Sequence, residues 1–374
     1  MAKITIKPAK SVRGEVSPPG DKSISHRAVI LGAIGKGDTE VHGLLESEDT
    51  LRTIEAFRGL GVEIEGPKGG HLLIRGRGLQ GLKEPSDVIY AGNSGTTLRL
   101  LTGLLSGQRF FSVLTGDPSL RTRPMKRVVG PLRMMGAKIY GRKDGGSAPL
   151  AICGGDLRAI NYRSPVASAQ VKSAILLAAL NVEDTTVVEE PVRSRDHTER
   201  MLRRFGADIR VDGRRVLLKG GTVLSGQGVD VPGDISSAAF FIVASLIVPD
   251  SSLLIRGLGI NPTRIGIVSL LKRMGASMEF LDQRDESGEP VGDILIKSSP
   301  LHGIDIGSED IPSAIDEFPI LCVAASVASG ETTIRGASEL RVKESDRIAV
   351  MAGELKRLGV RVEEREDGMV IEGG

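Results

Sequence analysis

Five stretches of the sequence share one order of apolar and polar positions. In each, an apolar segment precedes a turn and a short alternating strand, and an amphipathic segment then ends at an apolar–Gly–apolar triplet. The triplet glycines at positions 61, 136, 206, 275 and 359 lie 75, 70, 69 and 84 residues apart. Because glycine readily takes the left-handed backbone conformation after a helix, each triplet predicts a helix C-cap followed by a strand.

The recurring order predicts an α/β fold built from five βαβαββ repeats of about 70 residues each. The first helix of each repeat is apolar on all sides and should be buried, whereas the second is amphipathic and should face solvent on one side. The apolar first helices are predicted around Ala28–Gly32, Leu98–Leu105, Ala174–Leu180, Ala238–Val248 and Ile320–Ala328.

Two Pro-Gly interruptions, Ser17–Asp21 and Val231–Asp234, immediately precede helix starts and predict the domain boundaries. We expect an N-terminal globule of three repeats, residues 18–232. Residues 1–17 with 233–374 would form a C-terminal globule of two repeats. The alternating residues 3–7 are predicted to be an N-terminal strand that pairs within the second globule.

Composition narrows the class of protein. There are 49 basic and 47 acidic side chains, a formal charge of +2, with 3 Tyr and no Trp. Such a balance, without stacking aromatics, argues against a nucleic-acid binder. Cys153 and Cys322 form no disulfide or zinc motif, and no signal peptide or membrane-length apolar run is present. We therefore expect a cytoplasmic enzyme or binding protein.

The predicted starts of the first three apolar helices are rich in small polar residues. They are Gly20–Arg27, Gly92–Thr97 and Ser164–Gln170. Helix N-termini offer free N–H groups and partial positive charge, so such starts favour phosphates or carboxylates, and Lys22 and Arg27 would add charge. An ordinary N-cap residue is the simpler explanation of each start alone, but three such starts in equivalent places favour anion binding.

Further charged residues occur in loops and at a helix start. An arginine in a loop is often a solvated surface charge, but its planar fork also matches phosphate and carboxylate oxygens. A carboxylate at a helix start can interact favourably with the helix dipole, or it can transfer protons. The residues are Arg121, Arg123, Arg193, Arg195, Asp316, Glu317, Lys343, Glu344 and Arg347.

No complete dinucleotide, P-loop or metal-binding motif is present in the sequence. The Gly76–Gly81 stretch has Rossmann spacing, but Pro85 follows where a helix should begin. We therefore expect a site for anionic small molecules that uses no metal and no cofactor.

These motifs resemble the 5-enolpyruvylshikimate-3-phosphate synthase (EPSP synthase) family, specifically its bacterial class II branch. The resemblance lies in Gly20–Arg27, Asn93–Arg99, Leu120–Met125, Ser164–Lys172 and Leu340–Arg347, together with Arg195–Glu199. It implies a two-domain inside-out α/β barrel, the enolpyruvyl transferase fold, with the active site in the cleft between the domains. Five of that fold's six repeats are present here.

The resemblance also implies an activity, transfer of the enolpyruvyl group of phosphoenolpyruvate to the 5-hydroxyl of shikimate 3-phosphate with release of phosphate. It further implies a monomer, sensitivity to glyphosate, and catalytic roles for Lys22, Asp316 and Glu344. Shikimate 3-phosphate would be bound by Lys22, Ser23, Arg27, Ser168, Ala169, Gln170, Arg195, Asp316 and Lys343. Phosphoenolpyruvate would be bound by Lys22, Gly95, Arg123, Gln170, Glu344 and Arg347.

The family's pattern extends about 55–60 residues further, through a sixth repeat. We therefore expect a C-terminally truncated and impaired form. Two alternatives stay open, a UDP-N-acetylglucosamine enolpyruvyl transferase and a non-enzymatic repeat scaffold or weak RNA binder. The first would carry a catalytic Cys near Arg121–Met125, where none is found.

Overall fold

The computed structural model describes residues 5–374. Its strands are β1 (Arg13–Val16), β2 (Lys36–His42), β3 (Glu63–Lys68), β4 (His71–Arg77), β5 (Ile89–Tyr90), β6 (Phe111–Thr115), β7 (Lys138–Gly141), β8 (Ser147–Cys153), β9 (Asn161–Arg163), β10 (Thr185–Glu189), β11 (Asp208–Asp212), β12 (Arg215–Lys219), β13 (Gly228–Asp230), β14 (Ser252–Gly259), β15 (Ser277–Glu286), β16 (Glu289–Lys297), β17 (Asp305–Ile306), β18 (Gly330–Ile334), β19 (Arg361–Arg365) and β20 (Gly368–Gly373).

Its helices are α1 (Lys22–Ile34), α2 (Glu48–Gly59), α3 (Gly95–Ser106), α4 (Lys126–Met134), α5 (Arg142–Gly145), α6 (Ala169–Ala179), α7 (His197–Arg204), α8 (Ile235–Ile247), α9 (Gly266–Arg273), α10 (Ile311–Ala314), α11 (Phe318–Ser326) and α12 (Arg347–Arg357). Strands and helices alternate along the whole described chain, so the fold is α/β as predicted.

Five four-stranded sheets repeat a single topology. Their strand orders are β13-β2-β4-β3, β5-β6-β8-β7, β9-β10-β12-β11, β1-β14-β16-β15 and β17-β18-β20-β19. In each sheet the first two strands are parallel and the second and third are antiparallel. A parallel pair cannot be joined by a tight turn. In the pairs β5-β6, β9-β10 and β17-β18 the connection contains the apolar helix (α3, α6 or α11), whereas β13 and β1 join β2 and β14 from distant parts of the chain. The predicted repeats are therefore present.

The apolar first helices, α1, α3, α6, α8 and α11, form the centre of the repeats. In α3, for example, eleven of the twelve residues of Gly95–Ser106 are buried. Four of these helices begin with a side-chain cap, in which Asp21, Ser94, Ser168 or Asp234 accepts a hydrogen bond from a backbone N–H of the first turn. Capping satisfies donors that burial would otherwise leave without partners.

The five triplet glycines have the left-handed backbone conformation predicted for them. Their φ angles are +84° at Gly61, +102° at Gly136, +98° at Gly206, +99° at Gly275 and +89° at Gly359. Each follows an amphipathic second helix (α2, α4, α7, α9 or α12) and leads into a strand or a loop before one. The C-cap prediction is confirmed at all five positions.

The chain divides into two compact units. Unit 1 comprises the described part of Met1–Pro18 together with Gly233–Asp285 and Pro290–Gly374, and unit 2 comprises Pro19–Pro232 and Glu286–Glu289. Each unit has its own apolar core. Strand β1 pairs with β14 inside unit 1, and β13 pairs with β2 inside unit 2.

The predicted N-terminal strand is misplaced. Of residues 3–7, the first two lie outside the described residues, and residues 5–7 have no strand conformation. The strand is Arg13–Val16, which pairs in parallel with Ser252–Ile255. Alternation of apolar and polar residues fits both segments, but a strand forms only where a partner supplies its hydrogen bonds.

A second difference concerns the turn Glu286–Glu289, which the sequence analysis assigned to the C-terminal globule. In the structure this turn groups with unit 2. Oε1 of Glu289 lies 2.8 Å from Nδ1 of the buried His197. Arg200 also donates to the carbonyl oxygen of Gly288 at 3.3 Å. These polar contacts explain why the four residues belong with unit 2.

Some apolar surface is left exposed on α8 in unit 1. Phe240 is 58% exposed and Phe241 is 47% exposed.

Among the helices of the described residues, none combines the length and the apolar character needed to cross a bilayer.

A comparison of two glycines of the last repeat tests how much the left-handed conformation at the C-cap contributes to stability. Around both Gly359 and Gly353 there is open space for a Cβ atom, but only Gly359 has a positive φ. We expect Gly359→Ala to lower the free energy of unfolding by about 1–2 kcal/mol. Gly353→Ala, inside α12, should raise it by about 0.5–1 kcal/mol. Urea denaturation of both variants measures this, and a shift in the same direction for both would contradict the cap.

Candidate active site

The start of α1 places a lysine at the surface of unit 2. The Asp21 side chain caps the helix by accepting from the N–H of Ile24 at 2.8 Å. Lys22 is the first helical residue, and its Nζ lies 3.0 Å from Oδ2 of Asp49 with the side chain 48% exposed. Ser23 is half-buried beside it. The lysine is therefore held at the helix start and remains accessible.

Arg27, one turn further along α1, is buried among neutral partners. Its guanidinium donates to the Thr198 hydroxyl at 2.6 Å, to the Ser23 carbonyl at 2.9 Å and to the Ser173 hydroxyl at 2.9 Å. Burial lowers the pKa of Arg27 to about 10. The carboxylates of Glu199 and Asp21 oppose this shift, and the positive charge of Arg195 adds to it. An arginine held in this way retains attraction for an anion.

The start of α3 brings Gly95 close to two arginines. A Cβ atom on Gly95 would lie 2.7 Å from Nη1 of Arg99 and 3.2 Å from Nη1 of Arg123. Arg123 donates to the Asn93 side-chain oxygen, and Asn93 in turn donates to Asp117 at 2.6 Å. The absence of a side chain at position 95 thus allows two buried guanidinium groups to approach the helix start closely.

Asp117 is kept ionised by its neighbours. Partial burial opposes the charge of this carboxylate, but hydrogen bonds from Asn93 and the Leu120 N–H, with the charge of Arg123, outweigh it and lower the Asp117 pKa. Asp117 therefore orients Arg123, the arginine predicted to bind a ligand, through the neutral side-chain amide of Asn93.

The start of α6 is linked to the start of α3. Gln170 donates to the Thr96 hydroxyl at 3.0 Å and accepts from Nη1 of Arg99 at 2.6 Å. Ser168, the N-cap of α6, and Ala169 are half-buried next to it. Two of the three helix starts that the sequence grouped by composition, those of α3 and α6, are therefore neighbours within unit 2.

Arg195 precedes α7 and is half-buried. Its positive charge lowers the pKa of Arg27. Arg193, also singled out by sequence, lies 3.8 Å from Asp196 and is 52% exposed. Arg193 is therefore a surface residue, whereas Arg195 acts on the buried cation.

Unit 1 contributes a separate group centred on Arg347. Nη2 of Arg347 donates to Glu344 at 2.7 Å, and its Nη1 lies 3.6 Å from Oδ1 of Asp316. The Asp316 side chain is 31% exposed and that of Glu344 is 48% exposed. One guanidinium therefore brings together the two carboxylates that the sequence assigned to proton transfer.

The loop that carries this group is fixed by Asp346, the N-cap of α12. Its carboxylate accepts from the Ala349 N–H at 3.0 Å and from Arg341 at 2.8 Å. Desolvation opposes the charge, but these two bonds prevail and lower the Asp346 pKa. Lys343, half-buried, precedes Glu344 in the same loop.

Several polar residues at these sites were missed by the sequence analysis. Arg99 and Lys172 are single charges inside otherwise apolar helices, and that pattern would have marked both. In unit 1, the buried Arg264 donates to the buried Glu317 at 2.7 Å. Glu317 thus has a structural partner, and Asp316 alone of the Asp-Glu pair lies beside Arg347.

Within residues 5–374, one group of side chains has donor atoms close enough to approach a common metal ion. It consists of Glu40, His42 and His71, whose atoms lie within 4.8 Å of one another. All three are exposed, and Oε1 of Glu40 is 2.9 Å from Nε2 of His71. None of the predicted substrate-binding residues belongs to it, so we assign it no role in the reaction.

Comparison with known proteins decides the family. The family model for EPSP synthase (3-phosphoshikimate 1-carboxyvinyltransferase) matches residues 6–374. The chain belongs to the EPSP synthase family. A Geobacter metallireducens 3-phosphoshikimate 1-carboxyvinyltransferase is 60% identical over 373 residues, which are 100% of this chain and 87% of the relative. The enzyme of that name from Syntrophotalea carbinolica is 61% identical, covering 99% and 86%.

Solved structures agree with this assignment. An EPSP synthase from Acinetobacter baumannii superposes with a TM-score of 0.88 at 52% identity, covering 98% of this chain and 83% of that one. The inside-out α/β fold of the EPSP synthase family is therefore that of this chain. The coverage of 87% of the Geobacter relative does not bear out the expectation of an impaired, truncated form. Membership in the family also favours the synthase over both alternatives left open by sequence.

The buried His26 gives this site a pH-dependent stability. Its Nδ1 lies 2.7 Å from the Thr53 hydroxyl. Burial lowers the His26 pKa from 6.5 to about 3, and the charges of Lys22 and Arg27 add to the shift. Between these pH values the unfolded chain binds the proton and the folded chain does not, so stability falls as the pH falls.

We expect wild-type stability to lose up to about 1.4 kcal/mol per pH unit below pH 6 through this histidine. His26→Gln should lack this pH dependence. The difference between the free energies of unfolding of wild type and variant should therefore become smaller as the pH falls from 7 to 5. Urea unfolding at several pH values provides the measurement, with the exposed His302→Gln as control. Parallel pH profiles for wild type and His26→Gln would refute the assignment.

Proposed function

We propose that this chain transfers the enolpyruvyl group of phosphoenolpyruvate to the 5-hydroxyl of shikimate 3-phosphate, releasing phosphate. The chain would thus serve aromatic amino-acid biosynthesis through the shikimate pathway. Relatives at 60% identity across its full length are named for that transfer. The family resemblance further supports a cytoplasmic monomer acting on these two small molecules, without nucleic acid or membrane.

Arg27 is the structural observation that carries the proposal. The residue is only 5% exposed, and its hydrogen bonds go to two hydroxyls and a carbonyl. Glu199 and Asp21 offset part of its charge. A buried cation that is held in place by hydrogen bonds to neutral groups is nevertheless suited to an anionic ligand. Shikimate 3-phosphate, with one phosphate and one carboxylate, is such a ligand.

Shikimate 3-phosphate would be held in unit 2 by the starts of α1 and α6. Ser23, Ser168 and Ala169 would offer hydroxyl and backbone N–H groups, and Arg27 and Arg195 would offer charge. The set is completed by Lys22, Gln170, Asp316 and Lys343.

Phosphoenolpyruvate would lie beside Gly95, where a side chain is missing and Arg123 is oriented by Asn93. Lys22 and Gln170 would contact both substrates, and Glu344 and Arg347 of unit 1 would complete the binding set. The cations would hold two anionic reactants together, which supplies proximity and offsets their mutual repulsion.

The chemistry requires one base and one acid. As the 5-hydroxyl oxygen bonds to C2 of phosphoenolpyruvate, Asp316 would accept the hydroxyl proton and Glu344 would protonate the methylene carbon C3. The Glu344 carboxylate would then take a proton back from C3, which restores the double bond as the bond between C2 and the phosphate oxygen breaks. Inorganic phosphate would leave with the proton that Asp316 had accepted. Lys22 would assist proton transfer at the bridging position between the substrates.

Phosphate release measured with each acceptor tests the proposal. We expect turnover with phosphoenolpyruvate and shikimate 3-phosphate, and none with UDP-N-acetylglucosamine. Glu344→Gln should lower kcat about 10²–10⁴-fold through loss of the general acid. The control Glu354→Gln removes only an exposed ion pair with Arg357 in α12 and should leave kcat unchanged. Turnover with the UDP-sugar alone, or full activity of Glu344→Gln, would contradict the proposal.

The glycine at position 95 leads to a prediction about glyphosate, which we expect to inhibit the reaction at low concentration. In Gly95→Ala the new Cβ would displace Arg99 and Arg123, whose nearest atoms are 2.7 and 3.2 Å away. Several-fold higher KM for phosphoenolpyruvate and weaker inhibition should follow. Gly130→Ala, where a Cβ meets no atom within 4 Å, is the matched control. Wild-type turnover unaffected by saturating glyphosate would refute the expectation.

A further inference from the structure

Unit 2 contains a buried group of three charged side chains that the proposed mechanism does not use. Nζ of Lys172 lies 2.7 Å from Glu190 and 2.8 Å from Glu199, and all three side chains are 3% exposed. Burying charges is costly, and apolar residues of similar volume would often be as stable. A charged group in this place therefore calls for a role beyond packing.

The Glu190 carboxylate joins two segments that carry proposed shikimate 3-phosphate ligands. Its Oε1 accepts from the N–H of Ser168 at 3.2 Å and from the Ser194 hydroxyl at 2.6 Å. Its Oε2 accepts from the Ser194 N–H at 3.2 Å and from Lys172 at 2.7 Å. Ser168 is itself a proposed ligand, and Ser194 directly precedes Arg195. A single carboxylate thus fixes the backbone at both segments.

Lys172 pairs with this carboxylate and ties it to Glu199 of α7. Burial opposes the charge of Lys172, but Glu199 and Glu190 outweigh it and raise the Lys172 pKa. Glu199 follows Thr198, whose hydroxyl accepts from Arg27 at 2.6 Å and lies 2.6 Å from the Ser173 hydroxyl. The network therefore runs from the Ser168 and Arg195 segments to the partners of Arg27.

We propose that Lys172 and Glu190 are positioning residues, which hold Ser168 and Arg195 in the arrangement that binds shikimate 3-phosphate. This inference rests on the proposed function. Neither residue is assigned to contact substrate, and both act through the backbone and side chains that they fix. A role in packing alone would affect stability without distinguishing between the two substrates.

Glu190→Gln is the discriminating variant. The variant keeps the size of the side chain. It replaces one of the two carboxylate oxygens, each of which accepts hydrogen bonds, with an NH₂ group that can only donate. We expect the Kd for shikimate 3-phosphate, measured by calorimetry without phosphoenolpyruvate, to rise about tenfold or more. The KM for phosphoenolpyruvate at saturating shikimate 3-phosphate should stay within about twofold, because the Gly95–Arg123 contacts do not involve Glu190.

Ser194→Ala is a milder second variant that removes one donor to Glu190 and leaves the charges in place. It should raise the same Kd about threefold, and it decides the question if Glu190→Gln does not fold. Glu55→Gln, which removes the exposed pair with Arg52 in unit 2, is the control and should bind normally.

The outcomes separate this inference from the proposed function. Wild-type protein that fails to bind shikimate 3-phosphate would overturn the proposed function and the inference with it. Wild-type binding, with folded variants whose Kd stays within twofold of the wild type, would overturn the inference alone. An equal loss of affinity for both substrates would also overturn it, since it would indicate a general structural defect.

Discussion

Each repeat has to bury a helix that is apolar around its whole circumference, and this requirement determines where polar groups can lie. Along α1 and α3 nearly every residue is buried. Backbone donors at the buried ends need caps, so Asp21 and Ser94 occupy the positions just before these helices. Polar chemistry is thereby concentrated at the helix starts, where small side chains and free N–H groups already favour anions.

The same requirement explains the partners of the cations in unit 2. Arg27 donates hydrogen bonds to two hydroxyls and a carbonyl, and Arg123 donates to the amide oxygen of Asn93. Carboxylates also act on both arginines, Glu199 on Arg27 and Asp117 on Arg123. The hydrogen bonds to neutral groups fix the orientation of each guanidinium. Such preorganised charge costs stability in the free protein, and an anionic ligand offsets that cost.

How much of this structure the sequence predicts depends on how far apart in the sequence the interacting residues lie. Helix starts, C-cap glycines and repeat order are local, so the five positive φ angles were predictable from triplets. Residues that orient the site are not local. Thr198 lies 171 positions from Arg27, and Asn93 lies 30 from Arg123. The N-terminal strand was misplaced for a related reason, because only the partner strand β14 selects Arg13–Val16.

The charged residues proposed for the site differ in exposure, and the difference agrees with the roles proposed for them. Arg27 is 5% exposed, and a binding charge attracts an anion most strongly when it is fixed and desolvated. Lys22, Asp316 and Glu344, which are proposed to transfer protons, are 48%, 31% and 48% exposed and can exchange protons with water. Arg347 contacts both carboxylates, so a single guanidinium fixes their positions relative to one another. An anion that bound Arg347 would compete with both carboxylates for the same N–H groups. The phosphoenolpyruvate contact proposed for Arg347 and the proton-transfer roles proposed for Asp316 and Glu344 are therefore linked through one side chain.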